Sequence, residues 1–262
     1  MFSPIDNAIN DKLLHSPKSL ITEIHNEIPI KYNSVNVLVG KQGCGKTVAA
    51  LRAIIKISSL ELHNNRFHLL IYVTKHGDEN DKSWQALKSL LCIPFIVVSE
   101  SDIIDVVDEL IAAKNLYYLI KREKLEDKQE EEQQQDMLST LHITDFNYDQ
   151  LHTIILFDDI SNSKLFSSEE SYFSQQLRRC RHTNITYFLL IQGWKGLKPH
   201  IKNEITTLMI FPCFNNQQLH YIYNQSSSNL SYEEFHQLYH QLYHRQFLIV
   251  QVTDGGTTEI HE

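Results

Sequence analysis

Apolar runs rich in β-branched residues recur along this chain, and between them lie longer stretches in which apolar positions return every three or four residues. The runs read SVNVLVG, HLLIYVT, FIVVS, LHTIILFDD, ITYFLLIQ, TTLMIFP and FLIVQV. The intervening stretches with helical spacing are Lys46 to about Leu60, the region around DKSWQALKSLL, SDIIDVVDELIAAKNLYYLIK, SYFSQQLRRCR and a C-terminal region. A strand that is apolar at successive positions has no solvent face and is buried on both sides. Strands of that kind separated by helices predict an α/β fold, with a mostly parallel sheet flanked by helices on both faces. The alternation runs without a break, so we expect one domain over residues 34–262, preceded by an extension at 1–33. FHQLYHQLYHRQ, residues 235–246, repeats only locally and reads as a helix with a Tyr and Leu face. Its histidines are expected at the surface rather than as metal ligands.

Size and composition change this picture little. A chain of 262 residues, 42% of them hydrophobic, can bury one sizeable core. No apolar run approaches the roughly eighteen residues that span a bilayer, and MFSPIDNAINDKLLHS lacks the basic-then-apolar layout of a signal peptide. A cytoplasm-like compartment without membrane insertion or secretion is the expectation. Cys44, Cys92, Cys180 and Cys213 show no paired CxxC spacing, so neither a disulfide framework nor a zinc site is implied, and they read as reduced.

Charge does change it. Residues 101–150 carry 13 acids and 5 bases, which leaves 19 of each for the rest of a chain whose net charge is -8. The body is therefore neutral, and the excess sits in one place. KREKLEDKQEEEQQQD, residues 121–136, has Leu125 as its one apolar residue and cannot bury a face. We read the segment at about 121–140 as an acidic insertion, a solvated helix end running into a mobile loop.

The candidate chemistry begins at VNVLVGKQGCGKTVAA, residues 35–50. Gly40, Gly45, Lys46 and Thr47 match G-x-x-x-x-G-K-[ST], with a strand before and a helix after. Glycines here permit positive φ angles, so successive backbone N–H groups turn toward phosphates at a helix N-terminus whose dipole favours anions. Residues Gly40, Lys41, Gln42, Gly43, Cys44, Gly45, Lys46, Thr47 and Val48 would wrap the nucleotide. Lys46 adds a point charge, and the Thr47 hydroxyl is of the type that ligates Mg2+ on the same phosphates. Cys44 reads as a small residue tolerated in the loop in preference to a redox switch.

A phosphate loop of this kind needs carboxylates at a second strand end. LHTIILFDDI, residues 151–160, supplies Asp158 and Asp159 after an apolar strand, the Walker B pattern. Asp158 is expected to hold the Mg2+ shell through water, and Asp159 to orient or deprotonate the attacking water. There is no N-K-x-D segment for guanine and no L-S-G-G-Q segment of transporter ATPases. A Mg2+-dependent ATPase remains.

RRCRHTNITYFLLIQGWKGLKPHIKN, residues 178–203, holds a further constellation. Arg181, His182 and Asn184 precede a strand closed by Gln192, and Ile201 and Asn203 follow the next loop. With the two Walker motifs, this order over residues 35–212 resembles the viral genome-packaging ATPases of the FtsK/HerA superfamily, of the poxvirus, large DNA virus and virophage type. The resemblance implies a RecA-like core, a homo-oligomeric ring (pentamer or hexamer), and movement of double-stranded DNA into a preformed capsid at the expense of ATP. It also implies a viral capsid protein as partner, and the host cytoplasm, a viral factory or the virion as location. A strand-end Gln can hydrogen-bond the γ-phosphate and the attacking water, which gives Gln192 a sensing role. Lys195, Lys198 and Lys202 in the next loop are candidates for salt-dependent DNA phosphate contacts. Arg178, Arg179 and Arg181 crowd a helix end that the chain's own phosphate loop has no use for. Arg181, which fits the Arg-His-x-Asn motif, is the expected finger toward a neighbouring subunit. Superfamily members outside the viral group usually place Glu after the Walker B Asp. Here Asp159 has a shorter reach, which leaves the general base open. Two other classes use the same loop: a small P-loop kinase, which would need an arginine-rich lid, and a nucleotide-binding capsid-assembly scaffold without turnover.

Overall fold

The computed structural model describes residues 30–61, 67–75, 91, 93–126, 151–159, 163–226, 230–242 and 246–252. The expected helix at DKSWQALKSLL and most of the acidic insertion lie outside these residues, as does the extension up to residue 29.

β1 (Val35–Val39) is buried at every position, and its one polar side chain, Asn36, donates to Ser34 Oγ at 3.0 Å and to the Tyr187 carbonyl at 3.1 Å. The phosphate loop leads from it into α1 (Lys46–Glu61), which is followed by β2 (Phe67–Thr74) and β3 (Phe95–Ser99). Then come α2 (Ile103–Glu126), β4 (Leu151–Phe157), α3 (Tyr172–Arg178), α4 (Cys180–Thr183) and β5 (Ile185–Ile191). The chain continues through α5 (Pro199–Lys202), β6 (Thr207–Ile210), α6 (Asn216–Tyr223), α7 (Tyr232–Gln241) and β7 (Leu248–Gln251). Among the described residues these strands form one sheet in the order β3-β2-β4-β5-β1-β6-β7. The pairs from β3 through β6 are all parallel, and β7 runs antiparallel to β6. The expected mostly parallel α/β core is present.

Alternation along each strand divides the interior in two. Val37, Val39, Ile71, Val73, Ile155 and Phe157 belong to one cluster with residues of α2, α3, α6 and α7. Leu38, Leu70, Tyr72, Ile154, Leu156 and Phe188 belong to the other, with Ala50, Leu51 and Ile54 of α1. Helices thus cover both faces, but unevenly. α7 packs with Phe235 and Tyr239 buried. The side chains it buries are therefore a Phe and a Tyr, beside the Tyr and Leu expected from its repeat.

The single helix expected over SYFSQQLRRCR is two. It breaks at Arg179, whose backbone at φ -96 and ψ 5 leaves the helical region. α4 then closes at Asn184 in the left-handed region, φ 54, and the Asn184 side chain donates to the Leu151 carbonyl at 2.8 Å. Asn tolerates that conformation better than most residues. The Asn of the Arg-His-x-Asn motif therefore joins the starts of β4 and β5. Beside it, the Lys114 ammonium of α2 is buried and donates to the Thr183 carbonyl at 3.0 Å and to Thr153 Oγ1 at 3.3 Å.

Candidate nucleotide-binding site

Parallel strands β1, β4 and β5 end on the same edge of the sheet, and residues 40–48, Asp158, Asp159 and Gln192 follow directly from those ends. This is where open α/β sheets bind ligands, beyond the carboxyl ends of their strands.

The phosphate loop has the form its glycines predict. Gly43 and Gly45 take φ of 77 and 102 degrees, which other L residues adopt only with strain. Gly40 is required for a different reason. A Cβ there would lie 2.6 Å from Cys44 Sγ and 2.8 Å from Phe211 Cβ. Its amide donates to the Ile191 carbonyl at 3.1 Å, which ties the start of the loop to the end of β5. Lys46 is buried, and its Nζ donates to the Gly40 and Lys41 carbonyls at 2.7 and 2.9 Å. The ammonium is thus held inside the curve of the loop. Thr47 and Val48 are half-buried in the first turn of α1, whereas Lys41, Gln42 and Gly43 are exposed.

The two carboxylates point to different partners. Asp158 Oδ2 accepts from the Tyr72 hydroxyl of β2 at 2.8 Å. Asp159 is exposed, sits in the left-handed region at φ 58, and accepts on Oδ2 from Gln192 Nε2 at 2.6 Å. Hydroxyl and carboxylate oxygens are the donors Mg2+ prefers, so Thr47 and Asp158 fit that ion by chemistry.

Other expected site residues fall elsewhere. Arg181 is exposed in α4, which precedes β5, so the whole strand separates it from Gln192. Arg178 is ion-paired with Glu169 and Glu204, each at 3.3 Å. Lys195 stands over the Tyr221 ring at 5.7 Å, and Lys202 over Trp194 at 5.0 Å and Tyr221 at 5.4 Å. Lys202 Nζ and Trp194 Nε1 both donate to Gln225 Oε1 at 2.9 Å, while Lys198 is exposed. Burial against this aromatic cage pulls the Lys202 ammonium below its ordinary pKa.

Tyr72, Phe211 and Cys213 are site neighbours that motif reading passes over. Tyr72 sits inside the apolar run HLLIYVT, where a buried hydroxyl needing a partner is the available signal. Phe211 and Cys213 follow β6, and nothing in their local sequence points to residue 40 or 44.

No protein-family model and no curated protein matches the chain. Solved structures do. B204, the DNA-packaging ATPase from Sulfolobus turreted icosahedral virus, matches with a TM-score of 0.53 at 14% identity, over 89% of this chain and 98% of that one. The chain shares that protein's fold. The B204 packaging NTPase of Sulfolobus turreted icosahedral virus 2, in complex with AMPPCP, matches with a TM-score of 0.53 at 17% identity, over 88% of this chain and 97% of its own. EssC (ATPases 2 and 3) from Geobacillus thermodenitrificans gives 0.50 at 11%, over 84% of this chain and 38% of that longer one. The resemblance read from the motifs thus extends to the architecture, a RecA-like P-loop NTPase core. Among the described residues no helix is long and apolar enough to cross a membrane.

Proposed function

We propose that this protein is a Mg2+-dependent ATPase that moves double-stranded DNA as a homo-oligomeric ring, pentamer or hexamer, in the packaging of a viral genome into a capsid. The observation that carries the reading is the Asp159–Gln192 hydrogen bond beside the phosphate loop. It joins the group expected to orient water to the group expected to sense the γ-phosphate. The packaging function of the B204 protein, whose fold this chain shares at low identity, favours DNA as the cargo.

In this reading the amides of residues 41–47 and the Lys46 ammonium bind the β- and γ-phosphates, with Lys46 exchanging its loop carbonyls for phosphate oxygens. Mg2+, held by Thr47 and through water by Asp158, would draw charge from those oxygens. Asp159 orients the attacking water and accepts its proton, and Gln192 releases Asp159 to meet the γ-phosphate. When phosphate leaves, Gln192 returns to Asp159. Because Gly193 and Trp194 follow Gln192, the change reaches the loop that carries Lys195, Lys198 and Lys202. Lys198 and the Lys195 and Lys202 ammoniums over their rings form a basic, aromatic surface suited to a phosphate backbone.

The test is ATP turnover with and without duplex DNA, alongside the mass of the assembled species. We expect DNA to raise turnover, the stimulation to fall with added salt, and Lys46→Ala to abolish nucleotide binding. Phosphate transfer to a small acceptor would establish a kinase instead. ATP binding without turnover in an assembled ring would establish the scaffold.

A further inference from the structure

Cys213 lies 173 positions beyond Gly40 in the sequence, yet its sulfur is part of the phosphate loop's environment. The Lys41 amide donates to Cys213 Sγ at 3.1 Å, and Cys44 Sγ lies against Gly40, one residue before Lys41, so both sulfurs border the same turn of the loop and each perturbs the other's titration. Both cysteines are free and half-buried, so small reagents can approach them. The close approach is built in, because Gly40 has no side chain where Cys44 Sγ lies.

The two partners differ in freedom. Cys213 is held: its amide and that of Phe214 donate to the Tyr239 hydroxyl at 2.8 and 2.9 Å, and that hydroxyl donates to the Phe211 carbonyl at 2.9 Å. Cys44 sits between Gly43 and Gly45, whose backbone has the widest range of any residue. Any shortening of the sulfur–sulfur separation is therefore taken up by the loop.

We propose that Cys44 and Cys213 are a redox-modifiable pair, and that a low-molecular-weight disulfide converts them to an intramolecular disulfide that draws the phosphate loop toward the end of β6 and prevents nucleotide binding. The blocking effect rests on the nucleotide-binding reading of residues 40–48. The crosslink itself does not.

The chemistry is ordinary thiol–disulfide exchange. The Cys213 thiolate attacks one sulfur of the small disulfide, a mixed disulfide forms on Cys213, and one small thiolate leaves. Cys44 then gives up its proton, attacks the Cys213 sulfur and expels the second small thiol, which takes that proton. Two protein thiols are oxidised by two electrons and one small disulfide is reduced to two thiols. Cys213 is the better first nucleophile, because the Lys41 amide donates to its sulfur at 3.1 Å and so favours the thiolate. Its pKa is pulled down to about 6, chiefly by the hydrogen bond from Cys44 and against burial, with help from the Lys41 amide and the charges of Lys41 and Lys46. Cys44, as the donor of that bond, is pushed up.

A disulfide brings two sulfurs to about 2.05 Å, inside van der Waals contact, so the loop must move toward Cys213 to form it. Amides that must converge on phosphate oxygens do not tolerate such a shift. By linkage, bound nucleotide must in turn oppose the crosslink.

The test uses the full chain. Reduced protein is first shown to bind a fluorescent ATP analogue, then treated with oxidised glutathione, digested and mapped by mass. We expect a linked pair of peptides containing Cys44 and Cys213, loss of analogue binding, recovery with dithiothreitol, and slower crosslinking when the analogue is bound beforehand. Cys213→Ser should bind the analogue before and after oxidant. A wild-type protein crosslinked at 44 and 213 that still binds the analogue overturns the blocking effect. Thiols that stay unlinked under oxidant, or link to Cys180 instead, overturn the pair. Reduced protein that fails to bind the analogue would sink the nucleotide reading and the blocking effect with it, while the mass map would still decide the crosslink.

Discussion

The Gln192 side-chain amide donates to the Asp159 carboxylate at 2.6 Å, across the gap between the ends of two neighbouring strands. That bond fixes the direction in which the carboxylate points. With Asp159→Asn, nucleotide binding should persist while turnover falls by about 10²- to 10⁴-fold, the range for loss of a general base. Gln192→Ala should also bind and turn over slowly, and the double variant should be little worse than Asp159→Asn, because the two residues act together. Phosphate release and analogue binding measure both. Wild-type turnover in Asp159→Asn would move the role to another carboxylate, such as Glu100, which accepts from Ser163 Oγ at 3.2 Å.

Tyr72→Phe removes the hydroxyl that donates to Asp158 and leaves the ring in the core. Partners that orient a metal-binding group typically contribute about 10- to 100-fold in metal affinity. We expect the Mg2+ concentration for half-maximal turnover to rise by roughly that factor, with thermal stability nearly unchanged. An unchanged Mg2+ dependence would show that Tyr72 serves packing alone.

Gly40→Ala puts a methyl group 2.6 Å from Cys44 Sγ and 2.8 Å from Phe211 Cβ. Phe211 has no room to yield, since it is buried and its amide is bonded to the Val39 carbonyl at 3.0 Å. Overpacking of this kind costs about 1–3 kcal/mol. The variant should melt several degrees lower and lose nucleotide binding. Gly193→Ala, where a Cβ meets nothing within 4 Å, is the contrasting control for packing.

Lys114 predicts a pH signature. Burial pulls its ammonium from the usual value down to about 7. Between about pH 7 and 10 the unfolded chain therefore binds a proton that the native protein does not, and stability gains with rising pH across that window. Lys114→Met should lack this contribution. The difference in unfolding free energy between wild type and variant should change by up to about 1.4 kcal/mol per pH unit there, in the wild type's favour as pH rises, and be flat below about pH 6. Parallel stability curves would show that the buried ammonium keeps its ordinary pKa.

Arg181 lies in α4, just before β5, whose seven residues separate it from Gln192. At about 3.3 Å per residue that is more than roughly 20 Å, so Arg181 cannot serve its own phosphate loop. In a ring it would serve a neighbour's. Arg181→Ala should bind ATP and hydrolyse it about 10³-fold or more slowly, and mixing it with Lys46→Ala should restore some turnover at shared interfaces. Full turnover by Arg181→Ala, independent of protein concentration, would rule the finger out. Arg178 is the weaker candidate because Glu169 and Glu204 already hold it.

The chain's own order carried much of this protein. The parallel sheet was legible because short runs rich in β-branched residues, such as VNVLV and TIILF, set between helical stretches, favour strands covered on both faces. The loop between β1 and α1 was legible because its pattern is local: Gly40, Gly45, Lys46 and Thr47 fall within eight residues, and the positive φ of Gly45 and the inward fold of Lys46 follow from that spacing. Asp158, Asp159 and Gln192 stood out as polar residues ending apolar strands, where parallel topology brings strand ends together. What only the tertiary structure decided depends on strand order, which periodicity does not encode. Placing β2 beside β4 gives Asp158 its tyrosine, and placing β5 beside β4 lets Gln192 reach Asp159. Placing β6 beside β1 sets Phe211 against Gly40 and Cys213 against Cys44, which turned a cysteine read as a tolerated small residue into half of a pair. The break at Arg179 and the buried Lys114 were hidden for the same reason, since each depends on what packs beside it, and contacts between residues tens of positions apart leave no trace in local spacing.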